Sequence, residues 1–178
     1  MIIKQATQLG NPIIRTKSKS VASPTSKKVK QIVKNLIDSM HYHKLVGMAA
    51  PQIGVGLRIF VSEIMETQLR KGQDIKNADG LRIYINPRII WKSKELVVGY
   101  EGCGSVADKG LFGAVKRPKK VIVQAQDEND NTFELKADNL LARVIQHEYD
   151  HIEGVVFTDK ADPQTLMSSN EFRKNRPS

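Results

Sequence analysis

The stretch QHEYDHIEG carries the clearest chemical signal in the sequence, because His147 and His151 stand four residues apart and Glu148 follows the first. Side chains four residues apart project from the same face of a helix, so both imidazoles can hold one metal ion. Glu148 would lie about a hundred degrees round that helix from His147. From there its carboxylate can take a proton from a water molecule without being a ligand itself. The pattern predicts a hydrolytic metal site that still lacks its third protein ligand.

Three positions in the sequence can be considered for that third ligand. A metzincin-type site would place a histidine six residues after His151, but this position is Phe157. A thermolysin-type site would use a later glutamate, and Glu171 has a tolerable spacing, although we expect no helix around it. Cys103, in the stretch GYEGCGSV, would supply a thiolate, which together with two imidazoles leaves a fourth position open for chemistry. The glycines on both sides of the cysteine would let the backbone approach the metal closely.

The metal-binding pattern needs a helix to present it, and residues 138–152 have the required periodicity. Asp138 can cap the start of this helix, and Gly154 stands where the helix would end. One face of the helix carries, in order, Leu140, Val144, His147 and His151. The two histidines therefore continue an apolar stripe, and we expect them to point toward the interior.

The remaining segments predict a mixture of one more helix and several strands. Residues 24–43 have an apolar stripe at helical spacing, formed by Val29, Ile32, Val33, Leu36, Ile37 and Met40. Alternating apolar residues predict strands at 57–64, 82–90 and 95–102, and a hairpin over 119–137 that turns at DENDN. The polar segment 65–80 is expected to be an exposed loop. The fold class is therefore α+β, with antiparallel strands packed around a central helix that carries H-E-x-x-H.

Composition indicates one globular domain. The chain has 178 residues, of which 40% are hydrophobic and 26% charged, values that are ordinary for a globular protein. We expect residues 1–165 to form a single metallohydrolase domain and residues 166–178 to form a polar, basic, frayed tail. Cys103 is the one cysteine, so no internal disulfide can form, which suits a reducing compartment. No apolar run approaches the ~20 residues of a membrane span and no secretory leader is recognisable, so a cytoplasmic location is expected.

The net charge of +9 permits attraction to a polyanion. Basic residues cluster at 17–34, 116–120 and 173–176. No aromatic residues alternate with them as they would on a surface that stacks bases, so any nucleic-acid contact would be to phosphates and non-specific. A basic surface that only keeps the protein in solution explains these clusters equally well.

Three motifs resemble those of the peptide deformylases. LVGMAAPQ, from residue 45, is similar to that family's G-x-G-hydrophobic-A-A-x-Q, and EGCGS, from residue 101, is similar to E-G-C-L-S. QHEYDH, from residue 146, agrees with Q-H-E-x-D-H at every fixed position. The order and spacing of the motifs also agree, as do INP before the second motif and GVVF after the third.

The resemblance implies a role for each matching position. Cys103, His147 and His151 would bind one divalent metal ion, natively Fe²⁺ and often replaced by Zn²⁺, Ni²⁺ or Co²⁺. Glu148 would deprotonate the attacking water and pass its proton to the leaving amine. Gln52 and the backbone N–H of Gly104 would hold the oxyanion. Substrate would be bound by Leu45, Val46, Gly47 and Glu101. Asp150 and Glu101 would also orient the metal ligands from behind.

The resemblance also implies an activity and its partners. The family removes the N-terminal formyl group from formyl-methionine on newly synthesised polypeptides and releases formate. Nascent peptides would be the substrate, the basic clusters would suit the ribosome surface, no membrane would be involved, and a monomer is favoured. Three alternatives remain open: an N-acyl amidohydrolase with another substrate preference, a non-catalytic metal-stabilised binding domain, and a small metallopeptidase. Retention of Glu148 and Gln52 argues against a purely structural metal, which needs neither.

The sequence departs from the family pattern around the site. Leu45 stands where the family has glycine, and Gly104 where it has leucine. After the cysteine the family often continues S-[IV]-P-x-x-R, but here Ala107 replaces the proline and Gly110 the arginine. Lys109 is the nearest basic residue, without the bidentate geometry of a guanidinium. These departures predict an intact catalytic centre with a weakened or shifted peptide preference.

Overall fold

The computed structural model describes residues 3–68 and 78–175. In these residues the chain forms three α-helices and eight strands, joined by short 3₁₀ turns. The helices are α1 (Lys27–Tyr42), α2 (Asn139–Ile152) and α3 (Ser169–Asn175). The strands are β1 (Gly47–Ala49), β2 (Ile59–Ile64), β3 (Asp79–Lys92), β4 (Leu96–Gly102), β5 (Leu111–Pro118), β6 (Lys120–Gln126), β7 (Thr132–Asp138) and β8 (Met167–Ser168).

The strands form two antiparallel sheets, with α2 between them. One sheet has five strands in the order β1-β2-β3-β6-β7, and the other has three in the order β4-β5-β8. Helix α2 packs against β1, β2 and β7 of the first sheet and against β5 of the second. The predicted α+β class is confirmed, and α2 contains the H-E-x-x-H residues. The predicted strands are confirmed with small shifts in their ends, and the hairpin turn lies at residues 127–131.

Helix α1 forms because its apolar stripe covers one side of the five-stranded sheet. The Ser26 side chain caps its start by accepting a hydrogen bond from the Val29 N–H. The buried apolar residues of the helix pack with Met48 and Val61 of the sheet in one core cluster. At its end, Lys44 has a positive φ of 53°, and the Leu45 N–H donates to the Met40 carbonyl at 3.0 Å. This turn fixes the point at which Leu45 enters the site.

Helix α2 ends as predicted but begins differently. Gly154 has a φ of +77°, and a Cβ there would lie 2.6 Å from the Arg15 carbonyl oxygen, so only glycine fits this end. Asp138 occupies the N-cap position, but its side chain makes no capping hydrogen bond, so its predicted capping role is wrong. The inward face buries Ala142, Ile145 and Ile152 in a second core cluster with Phe60 and Tyr84. That packing, rather than a cap, holds the helix in place.

The expectation of a frayed tail is wrong for residues 169–175, which form α3. Phe172 is buried and stacks on Phe112 of β5, with ring centroids 4.2 Å apart and planes 6° from parallel. One apolar side chain in a polar segment is enough to attach it to the neighbouring strand. The expected loop at 65–80 falls largely outside the described residues. Of the described part, residues 66–68 form a 3₁₀ turn and residues 79–80 begin β3.

Candidate active site

The end of β4 and the inner face of α2 bring three ligand-type side chains together. One donor atom from each of Cys103, His147 and His151 lies within 4.8 Å of the others. Cys103 Sγ is 3.2 Å from His151 Nε2, and both side chains are buried. The other two positions do not join this cluster. Glu171 is exposed and accepts hydrogen bonds from Lys174 and Asn175, and residue 157 is a phenylalanine without a donor atom. Of the three candidates, only Cys103 is therefore placed to complete a site with the histidines.

The fit to a metal ion can be tested on the buried polar atoms of the site. Within the described residues, His151 Nδ1 and Glu148 Oε2 are buried without a hydrogen-bond partner. Burial raises the pKa of the Cys103 thiol, but His151 and His147 outweigh this and hold that pKa well below its ordinary value. A buried thiolate between two imidazoles is a donor set suited to a divalent transition metal with an open position. Cys103, His147 and His151 therefore fit a divalent metal ion.

Glu101 orients His147 from behind. Its Oε2 accepts a hydrogen bond from His147 Nδ1 at 2.9 Å, which turns Nε2 of that ring toward Cys103. Burial raises the pKa of Glu101, but Arg117 and His147 outweigh it and hold that pKa well below its ordinary range. Both carboxylate oxygens are engaged by these neighbours and by Arg143. This position agrees with the predicted orienting role.

Asp150 supports the proposed metal ligands indirectly, through Arg117 and Glu101. It is buried, and its Oδ2 accepts from Arg117 Nη1 at 2.8 Å, while Lys160 closes the other side. Asp150 is therefore not a solvated carboxylate on the outer face of the helix. Asp150 holds the arginine that holds Glu101, and it makes no contact with His151 Nδ1, the nitrogen without a described partner.

Two arginines of this network were missed in the sequence. Arg117 lies in the basic run KRPKK, yet it is only 3% exposed because it points inward from β5 while Lys116 points out. Arg143 stands four residues before His147 on the inner face of α2 and donates to Glu101 and to the Gly99 carbonyl. Strand alternation and helical spacing, applied to charged residues as well as apolar ones, would have indicated both.

Glu148 reaches the cluster because Gly47 lies opposite it. A Cβ at Gly47 would lie 2.6 Å from Glu148 Oε1, which is closer than two such atoms can approach. The carboxylate is buried, and burial raises the pKa of Glu148 to about 7. A carboxylate with a pKa near neutrality can both accept and return a proton.

Gln52 and Gly104 flank the thiolate with hydrogen-bond donors. Gln52 is 2% exposed, and its Oε1 accepts from the Ala49 N–H at 2.8 Å, so its Nε2 points to Cys103 Sγ at 3.6 Å. The Gly104 N–H has no hydrogen-bond acceptor within residues 3–68 and 78–175. The Ser105 N–H donates to the sulfur at 3.3 Å and steadies the loop. The Gln52 amide is thus fixed beside the thiolate and, with the Gly104 N–H one residue after the cysteine, it offers the kind of donor that oxyanion stabilisation requires.

Comparison with known proteins decides the family. The family model for Polypeptide deformylase matches residues 3–166. The chain belongs to the peptide deformylase family. The peptide deformylase of Dictyoglomus thermophilum is 36% identical over 170 residues, covering 96% of this chain and 100% of that protein.

Solved peptide deformylases share the fold. The structure from Thermotoga maritima has a TM-score of 0.78 at 30% identity and covers 92% of this chain and 100% of that one. The structure from Ehrlichia chaffeensis in complex with actinonin has a TM-score of 0.82 at 32% identity and covers 92% and 91%. With the clustered donor atoms, family membership makes this centre a divalent-metal site. These relatives do not favour the alternative of another acyl substrate or of a non-catalytic domain.

A cavity of about 1170 Å³ opens over the cluster. The predicted substrate-binding residues Leu45, Val46 and Gly47 lie along one wall, and Phe172 of α3 lies on another. Lys109 reaches across the rim and donates to the His43 carbonyl. Burial lowers the pKa of Lys109, and the charge of Asp108 opposes that shift.

The departures from the family pattern at Ala107 and Gly110 are both explained by the backbone of residues 107–110. Ala107, Asp108 and Lys109 have positive φ values of 47°, 48° and 65°. Proline, with φ near −65°, cannot adopt this conformation. At Gly110 a Cβ would lie 2.6 Å from the Ala107 carbonyl oxygen, so an arginine there would displace the turn. Neither family residue fits the turn that this chain adopts.

Gly102, the glycine before the cysteine, allows two strands to pack closely. A Cβ at Gly102 would lie 2.7 Å from Phe112 Cε1 on the neighbouring strand. Gly102 is therefore needed for the close pairing of β4 with β5, and its predicted role in the approach of the backbone to the metal stays a prediction.

Proposed function

We propose that this protein hydrolyses the N-formyl group of formyl-methionine at the N-terminus of newly synthesised polypeptides and releases formate. The observation that carries the proposal is the cluster of donor atoms from Cys103, His147 and His151 beside a cavity that Gln52 and Glu148 also line. The shared family with named peptide deformylases supports the same activity.

The ligands we assign are Cys103 Sγ and the Nε2 atoms of His147 and His151, with Fe²⁺ as the native ion and Zn²⁺, Ni²⁺ or Co²⁺ able to replace it. When bound, the ion supplies Lewis acidity, which polarises the formyl carbonyl and makes water a nucleophile at neutral pH. Glu101 keeps His147 in the tautomer that presents Nε2.

The chain's own groups then carry the proton and the charge. Glu148 accepts the proton of the attacking water and delivers it to the amine nitrogen as the C–N bond breaks. Gln52 Nε2 and the Gly104 N–H donate to the formyl oxygen as it gains negative charge, and they act most strongly in the transition state. A formamide is an unstrained amide, so both actions are needed for useful rates.

Substrate is held along the wall formed by Leu45, Val46 and Gly47, which lies beside the donors. Glu101, the fourth predicted substrate contact, also lines the cavity, but its oxygens accept from three side chains, so we propose that it acts chiefly by orienting His147. The altered rim at Ala107 and Gly110 predicts weaker selection beyond the first substrate residue.

The test is formate release from formyl-Met-Ala-Ser by anaerobically prepared protein loaded with iron or nickel. We expect turnover that Cys103→Ala and Glu148→Ala each abolish, with metal lost in the first and kept in the second. Glu171→Ala is the matched control, because that carboxylate is exposed, and it should keep both metal and turnover. Absence of formate release from the unsubstituted, metal-loaded chain would overturn the proposal.

We further propose that the protein acts as a cytoplasmic monomer and contacts ribosomal RNA through exposed lysines at the start of α1. Lys27, Lys28 and Lys30 are exposed there, and RNA phosphates attract such a cluster. None of the helices in the described part of the chain has the length and apolar content of a membrane span. Co-sedimentation with ribosomes that survives glutamate at all three positions would exclude this contact.

A further inference from the structure

An N-terminal segment ties together the two loops that carry the proposed oxyanion donors. The Thr7 N–H donates to the Gln52 carbonyl at 2.7 Å, and the Leu9 N–H donates to the Ser105 carbonyl at 2.7 Å. We name residues 6–9 the N-terminal bridge. The backbone of the N-terminal bridge thus holds Gln52, whose side chain is one proposed donor. It also holds Ser105, which follows Gly104, the residue of the other donor.

Gln8, between these two anchors, contacts the second loop through its side chain. Its Nε2 donates to the Gly104 carbonyl at 2.8 Å and to the Ala6 carbonyl at 2.9 Å. Its Oε1 accepts from the Asp108 N–H at 3.2 Å. The amide orientation is unambiguous, because the turned amide would place its oxygen against two carbonyl oxygens.

A hydrogen bond such as that from Gln8 restrains glycine more than it would restrain another residue type at position 104. Glycine has the widest backbone freedom, and it has no side chain that neighbours could hold. The peptide unit that carries its N–H is held at the Cys103 carbonyl, which accepts from the Val106 N–H at 3.1 Å. The next peptide unit is held by Gln8 at the Gly104 carbonyl. Holding the peptide units on both sides of Gly104 limits rotation about its two backbone bonds, so the hydrogen bond from Gln8 limits the motion of the N–H together with the turn.

We propose that Gln8 is a positioning residue, which fixes the Gly104 amide as an oxyanion donor through its hydrogen bond to the Gly104 carbonyl. This inference rests on the proposed function, in which the Gly104 N–H donates to the formyl oxygen. Gln8 itself does not touch the reacting atoms. Its contribution appears only as charge develops on the oxygen, so its loss should lower kcat and leave KM nearly unchanged.

The decisive variant is Gln8→Glu, compared with Gln5→Glu. The first replaces the donor by a carboxylate oxygen that repels the two carbonyls, and the second makes the same change at an exposed position three residues earlier. We expect Gln8→Glu to lower kcat about tenfold, less than the ~100–1000-fold of losing a whole oxyanion donor, and Gln5→Glu to match the unsubstituted protein. Gln8→Met, which removes the donor without repulsion, should lie between them. Equal kcat in Gln8→Glu and Gln5→Glu, or a loss confined to KM, would overturn the inference.

A second measurement separates this inference from the proposed function. In zinc-loaded, ¹⁵N-labelled protein, the backbone order parameter of Gly104 reports its mobility whether or not formate is released. We expect a rigid value of about 0.85 in Gln5→Glu and a fall toward about 0.6 in Gln8→Glu. Unchanged order in Gln8→Glu would refute the positioning role even in an active enzyme. Failure of the proposed function would instead appear as absent turnover in the unsubstituted protein with this difference in order retained.

Discussion

The Leu45 side chain lies over Gly104, so that a Cβ built on this glycine would be 3.4 Å from Leu45 Cδ1. The family pattern has glycine at the first position and leucine at the second. In this chain the leucine side chain at position 45 therefore lies where a side chain at position 104 would begin. We expect the two departures to compensate each other, because leucines at both positions would compete for one space.

Exchanging the two residues tests this relationship. Gly104→Leu alone should crowd Leu45 and the nearby Gln52 amide, and Leu45→Gly alone should leave the Gly104 loop uncovered. We expect each single change to reduce kcat/KM about tenfold and the double change to restore most of the loss, a coupling within the ~0.5–3 kcal/mol found for residues in contact. Formate release by the four proteins gives the cycle, and simple additivity of the two losses would show that the positions are independent.

Gly47→Ala should inactivate the protein without removing its metal. The new Cβ would lie 2.6 Å from Glu148 Oε1 and would displace the carboxylate. We expect turnover to fall by about 100-fold or more, the scale of losing a general base, while bound metal, measured by atomic emission, stays equal to that of the unsubstituted chain. Gly56→Ala is the control, because nothing lies within 4 Å of a Cβ there. Full activity of Gly47→Ala would mean that Glu148 is not confined as the structure has it.

Arg117→Met should weaken both stability and metal binding. The arginine is buried between Glu101 and Asp150, and its removal leaves two buried carboxylates without their common partner, at a cost of roughly 3–5 kcal/mol. Glu101 would then orient His147 less well, and metal affinity should fall about 10–100-fold. Urea unfolding and competition with a chelator measure the two effects. Lys116→Met, at the exposed neighbouring position, should change neither, and a stable Arg117→Met with normal affinity would contradict the network.

Restoring the family proline at residue 107 should destabilise this chain. Ala107 has a φ of 47°, which proline cannot reach, so the turn would have to rearrange at a cost of roughly 1–3 kcal/mol. Ala107→Gly should instead be neutral or slightly stabilising, since glycine adopts positive φ without strain. Thermal unfolding of both variants decides the matter. An Ala107→Pro protein as stable as the original would show that the left-handed turn is not needed for the native fold.

Much of the catalytic pattern followed from the sequence because it is local. Four-residue spacing on a helix brings His147 and His151 together, and the residue after the first histidine must lie on the adjoining face. The apolar stripes of α1 and α2 and the alternation in β6 and β7 depend on the same short periods. These elements could be predicted because each repeats within one or two turns or pleats.

The contacts between distant segments were decided only by the tertiary structure. Strand alternation indicates that Arg117 points inward, but nothing local reveals that it meets Glu101. The contacts of Gln8 with the Gly104 carbonyl and of Leu45 with Gly104 have no local signal either. Phe172 likewise turned an expected frayed tail into a helix by packing on β5. Helical and strand periods describe which way a side chain points from its own element. Which groups it then meets depends on how the two sheets close around α2, and that arrangement is set by burial of the whole core.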